Sequence, residues 1–111
     1  MPKTIPIAPI YMNPMHFETG LQFEQIETNI QQILDAYKIT YTYSDEKPIF
    51  KISNSIVTGE IRIFKDINDT EYVVEVVRYK GDGFVMNNIY AKMYEILVTP
   101  MFPNKVDKVY F

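Results

Sequence analysis

The chain has 111 residues, 47% of them hydrophobic and 23% charged, which is the size and balance of one globular domain and not of a disordered segment. Zero cysteines exclude disulfide scaffolds, thiolate zinc sites and cysteine nucleophiles together, and no apolar run approaches the roughly 18–20 residues of a membrane-spanning helix. A formal charge of −3 argues against a general nucleic-acid binder, which carries a basic surplus.

In chain order, residues 1–15 carry Pro2, Pro6, Pro9 and Pro14. Proline fixes φ and biases its predecessor to extended geometry, so this stretch reads as an extended arm docked by Ile7, Ile10 and Tyr11. Prolines also stand where a signal peptide needs a helical apolar core. Residues 16–111 then read as a single domain. Phe23, Ile26, Ile30, Ile33, Leu34 and Tyr37 recur at three- and four-residue steps and predict an amphipathic helix over Leu21 to Tyr37, with Thr19 or Gly20 as N-cap. Ile39 to Ser44 alternates apolar and polar residues and predicts a half-buried strand. Further strands are expected over Ile49–Ser53, Val57–Ile67 and Tyr72–Tyr79, with Asn68-Asp69 as a hairpin turn between the last two.

A final helix is expected from Phe84 to about Val98. Met86, Ile89, Tyr90, Met93 and Leu97 form its apolar stripe, Asn87, Asn88, Ala91, Lys92 and Glu95 face outward, and Pro100 ends it. The tail "MFPNKVDKVYF" is apolar enough to dock. Helix, four strands and helix, with short turns between strands, predict an α+β two-layer sandwich. It has a four-stranded antiparallel meander with both helices packed on one face.

Little in the chain is arranged for catalysis. His16 is the single histidine, and no nucleophile motif accompanies it; a partly exposed histidine flanking a helix is the expected reading. Asp45 and Glu46 are adjacent carboxylates in a charged turn, expected to be solvated. "KGDG" at 80–83 lacks the spacing of a Walker loop or a dinucleotide turn. It is expected to be a strand-to-helix corner in which Gly81 and Gly83 allow unusual φ and Asp82 caps the helix. No cofactor or metal is implied. Most of the nine tyrosines and seven phenylalanines fall on apolar stripes, so core packing is their expected role; Tyr41 and Tyr43 also suit an interface.

The stretch "VVEVVRYKGDGFVMNNIYAKMYEIL" has an acidic residue between apolar ones, then a basic residue, then Gly-Asp, then a helix. Through Val74, Glu75, Val76, Arg78, Gly81, Asp82, Ile89, Lys92 and Leu97 it resembles the kinase-associated-1 domain found at the C-terminus of several Ser/Thr protein kinases. "KGDG" before an apolar residue most resembles the DNA-damage checkpoint kinase branch, and "VEV…GD" is similar to plant calcium-sensor-interacting kinases. "HFETGLQFEQIETNIQQIL" also resembles the start of these regions, so the likeness spans about residues 16–98. The chain departs from the family at Met86, where an aromatic is usual, and at Asn87 and Asn88, where basic residues are common. It carries no kinase catalytic motif, so the resemblance implies an excised regulatory domain or a stand-alone relative.

The resemblance implies a non-catalytic regulatory domain that restrains the kinase domain of the same polypeptide or docks a regulatory protein, in the nucleus or cytoplasm. It also implies an alternative, binding of anionic phospholipid through a basic surface. Residues 1–46 hold two basic and six acidic side chains, and residues 47–111 nine and eight, so the cations concentrate on the C-terminal elements. The candidate interaction surface is Arg62, Lys65, Arg78, Lys80, Asp82 and Lys92. Glu60, Asp66, Glu75, Asp82 and Glu95 stand beside these cations, and together with the net charge they disfavour the lipid alternative.

Overall fold

The computed structural model describes residues 3–98. It is α+β. The elements are β1 (His16–Thr19), α1 (Phe23–Ala36), β2 (Tyr41–Tyr43), β3 (Ile49–Ser53), β4 (Val57–Lys65), β5 (Tyr72–Gly81) and α2 (Gly83–Leu97). The expected tail and its Pro100 stop lie outside the described residues.

The sheet has five antiparallel strands, in the order β1-β5-β4-β3-β2, where four were expected. The added strand is β1, which pairs with β5 from His16 opposite Glu75 to Thr19 opposite Tyr72. It is four residues long and alternates exposed and buried positions, too short a run to stand out from the helix that follows. Its presence gives α1 a different role. β1 and β2 are the two edges of the sheet, so α1 crosses the full width of one face between them. Its 14 residues rise about 21 Å, against about 19 Å for four strand spacings.

Cross-strand pairs place Phe17, Val74, Ile63, Ile61, Val76 and Phe50 on the same face. Ile26, Ile30, Ile33 and Leu34 of α1 and Met86, Ile89, Met93 and Leu97 of α2 close over that face to form one buried cluster. Phe17 meets Tyr90 and Tyr94 of α2, and Tyr72 meets Phe23 of α1, so both helices cover the same side of the sheet. Tyr43 stacks on Phe50 at 3.9 Å between ring centroids and donates a hydrogen bond to Glu27 of α1. Gly59 lies where a Cβ would sit 2.2 Å from the Val77 carbonyl oxygen, beside a bulge that leaves Tyr79 without a partner on β4. The expected Thr19 or Gly20 cap of α1 is replaced by Gln22, whose N–H donates to the Gln25 side chain at 3.0 Å. Tyr37, expected on the apolar stripe, lies past the end of α1 and is exposed.

The opposite face of the sheet is not simply solvated. The N-terminal arm runs across part of it, held by its backbone and not by the expected side chains. The Lys65 N–H donates to the Pro6 carbonyl at 2.9 Å and the Ala8 N–H to the Lys65 carbonyl at 2.8 Å, and Ile7 bridges Lys65 in parallel. The Thr4 N–H reaches the Glu46 carbonyl, and the Val76 N–H reaches the Met15 carbonyl. Ile10 and Tyr11, expected to dock the arm, are instead 90% and 91% exposed. The prolines explain this division of labour: they leave few donors, but they hold the remaining ones in extended register.

Candidate functional site: the corner between β5 and α2

Gly81 is the last residue of β5 and has φ of +99°. A Cβ there would lie 2.1 Å from the Ile56 carbonyl oxygen, so the corner requires glycine for conformation and for space. Asp82 is the N-cap of α2, and its Oδ1 accepts the Phe84 N–H at 2.8 Å. Its own N–H donates to the Ile56 carbonyl at 3.1 Å, which ties the corner to the β3–β4 turn. A carboxylate already seated on the first free N–H groups of a helix repels a second anion, so "KGDG" is a cap and not a phosphate cradle. Gly83, by contrast, has no positive φ, and a Cβ on it would make only ordinary contact with Arg78.

The β3–β4 turn is tied just as closely. Asn54 Oδ1 accepts the Ile56 and Val57 N–H groups, both at 2.8 Å. This local bonding leaves the Ile56 side chain 56% exposed. On one side of Ile56 is a groove of about 360 Å³ lined by Tyr37, Ile39, Asn54, Ile56, Val85 and Asn88. On the other is a cleft of about 280 Å³ that includes Thr58, Lys80 and Gly81. Phe84, on the first turn of α2, is 80% exposed. The corner therefore combines an open apolar groove with cations at its margin. Lys80 lines the adjoining cleft, Lys38 stands between two groove residues, and the Arg78 Nη1 donates to the Gly81 carbonyl at 2.8 Å. Such a surface suits docking, with an apolar anchor and a charged rim.

Of the expected surface residues, the structure brings together only Arg78, Lys80 and Asp82. Lys65 is at the far end of β4, opposite Tyr72, while Val57 at the near end pairs with Gly81. Eight residues of strand separate those ends, about 26 Å. Lys65 pairs there with Asp69 at 3.3 Å, and Lys92 pairs with Glu95 at 3.7 Å on the outer face of α2. Arg62 belongs to the opposite face of the sheet. Its Nε bonds Glu60 at 2.9 Å, its Nη1 bonds Glu75 at 3.3 Å, and its Nη2 donates to the Tyr79 hydroxyl. Burial works against the Arg62 charge, but Glu60, Tyr79 and Glu75 outweigh it and hold the guanidinium protonated more firmly than in free arginine.

This arrangement gives Glu75, the acidic residue of the last strand, a structural role. It is buried on the arm side of the sheet; one carboxylate oxygen takes the Arg62 bond and the other accepts the Asn13 N–H at 2.7 Å. The exposed His16 completes the latch, its Nδ1 donating to the Asn13 carbonyl at 2.6 Å. Asp45 and Glu46 are exposed, as expected. Among the described residues, no group of three His, Cys, Asp or Glu side chains is placed to hold a metal ion, and no helix is long and apolar enough to cross a membrane.

The apolar half of the corner was missed in the sequence, although two signals were there. Phe84 is off the buried stripe of its helix and shares a face with Asn88, Ala91 and Lys92. Ile56 is an isoleucine inside the turn "SNSIV". Compared with known proteins, the chain matches no protein-family model and no curated protein.

Proposed function

We propose that this chain is a regulatory docking domain of the kinase-associated-1 type, acting on the kinase domain of the same polypeptide. In this reading the domain itself catalyses nothing. Its corner surface packs on the catalytic lobe and stabilises an inactive arrangement, and a phosphorylation or a regulatory protein shifts the balance to the undocked state. The sequence likeness to the checkpoint branch points to a nuclear or cytoplasmic kinase. The observation that carries the proposal is the exposed groove at Ile56 and Val85, flanked by Phe84, Arg78 and Lys80, at the same Gly-Asp corner that bears the sequence resemblance. The test is kinase activity of the full polypeptide carrying Arg78→Glu and Lys80→Glu. Autoinhibition requires activity to rise; unchanged activity with the fold intact counts against this surface.

A second reading follows from the same residues. An exposed Phe84 beside cations is what an interfacial anchor on an anionic membrane needs. The net charge of −3 weighs against it. Strong, salt-sensitive sedimentation with anionic vesicles would place lipid binding first.

A further inference from the structure

The corner has a counterpart at the opposite end of the sheet. There the β4–β5 hairpin and the middle of the arm expose Ile67, Ile10 and Tyr11, at 80%, 90% and 91%. Ile67 and Ile10, together with Ala8, Pro9, Met12 and Val73, border a cleft of about 330 Å³, with Tyr11 next to Ile10 on the arm. Its charged margin is acidic: Glu18 and Asp66 line the cleft, and Glu71 is next to Glu18. The basic residue at this end, Lys65, is already paired with Asp69. The corner, about 26 Å away along β4, exposes Ile56 and Phe84 with three cations, Lys38, Arg78 and Lys80, against the capping carboxylate of Asp82. One small domain thus carries two apolar surfaces of opposite charge on opposite ends.

We infer that the occupant of each surface is a second copy of this chain, joined head to tail. Corner-to-corner pairing would set Lys38, Arg78 and Lys80 against their own copies, and hairpin-to-hairpin pairing would do the same with Glu18, Asp66 and Glu71; both arrangements are repulsive. Only the corner of one copy against the hairpin end of the next matches charge to charge and apolar group to apolar group. That contact is heterologous, so it does not close at two copies and grows with concentration. The inference goes beyond the docking proposal and shares its corner, so a bound kinase domain and a neighbouring copy compete.

Sedimentation velocity of the full chain, from micromolar to millimolar concentration, tests it. The wild type should form species larger than a dimer, weakening as salt rises. A corner variant, Lys38→Glu with Lys80→Glu, should lose at least about tenfold in association, and so should a hairpin-end variant, Glu18→Lys with Glu71→Lys. Mixed in equal amounts, the two variants should associate again and grow beyond a dimer, because an intact corner faces an intact hairpin end at one contact and a reversed corner faces a reversed hairpin end at the next. A third variant, Ile10→Ser with Tyr11→Ser, changes only solvent-facing side chains and should weaken association without altering the thermal melt. A wild type that stays monomeric throughout, association retained in both charge variants, or a mixture that fails to associate overturns the inference. None of these outcomes bears on inhibition of a kinase domain, which is measured separately.

Discussion

At Gly81 a single hydrogen atom decides the geometry. The positive φ and the 2.1 Å approach of the Ile56 carbonyl leave no room for a methyl group, while Gly83 two residues later has ordinary backbone and open space. Gly81→Ala should therefore cost about 1–3 kcal/mol in chemical denaturation, whereas Gly83→Ala should be neutral or slightly stabilising, because alanine favours helix. Both glycines were legible as a corner, but only the structure separates them, since the need for left-handed backbone depends on what approaches from the β3–β4 turn. Tyr43 carries a pH dependence. Burial, and then the hydrogen bond to Glu27 and its charge, raise the Tyr43 pKa well above the ordinary 10.0. A raised pKa in the folded state means that its contribution is complete below the unfolded value and declines as pH rises beyond it. Melting temperature should fall above about pH 10, more steeply in the wild type than in Tyr43→Phe.

At the scale of elements, the periodic segments were readable and the short ones were not. The stripes of α1 and α2 and the strands β3, β4 and β5 appear close to where the sequence put them; β3 and β4 bury alternate residues, whereas β5 buries Val73, Val74, Glu75 and Val76 in succession. β1 was missed because four residues carry little pattern and its pairing with β5 is remote in sequence. The arm was expected to dock through Ile7, Ile10 and Tyr11, but all three are exposed, and backbone groups hold it together with the Lys3 ammonium, which donates to the Ser44 carbonyl at 2.6 Å. Asn13 is the critical point, since its N–H neutralises part of a buried carboxylate. Asn13→Pro removes that donor and should destabilise the fold by about 1–3 kcal/mol in denaturant titration. Amide exchange should speed up at Val76, which bonds Met15 just beyond the latch, and little in α1.

At the scale of the whole molecule, the cations of the candidate site were legible as charges but not as a surface. Arg62 proves to be a structural partner of Glu60 and Glu75, Lys65 is at the far end of the sheet, and Lys92 serves its own helix. What remains is the corner, where three segments distant in sequence converge: the end of α1, the β3–β4 turn and the start of α2. No local pattern announces a groove assembled in this way, which is why Tyr37 and Ile39 were read as packing residues and Ile56 and Val85 were not singled out. The account rests on that groove being the docking surface. Its most direct test is a titration of this domain into the kinase domain that the proposal assigns to the same polypeptide, with phosphotransfer as the readout. Wild type should inhibit in proportion to occupancy, and a Phe84→Ser, Lys80→Glu variant of unchanged thermal stability should lose at least about tenfold in potency. Absence of inhibition by the wild type, or equal inhibition by the variant, would contradict the account.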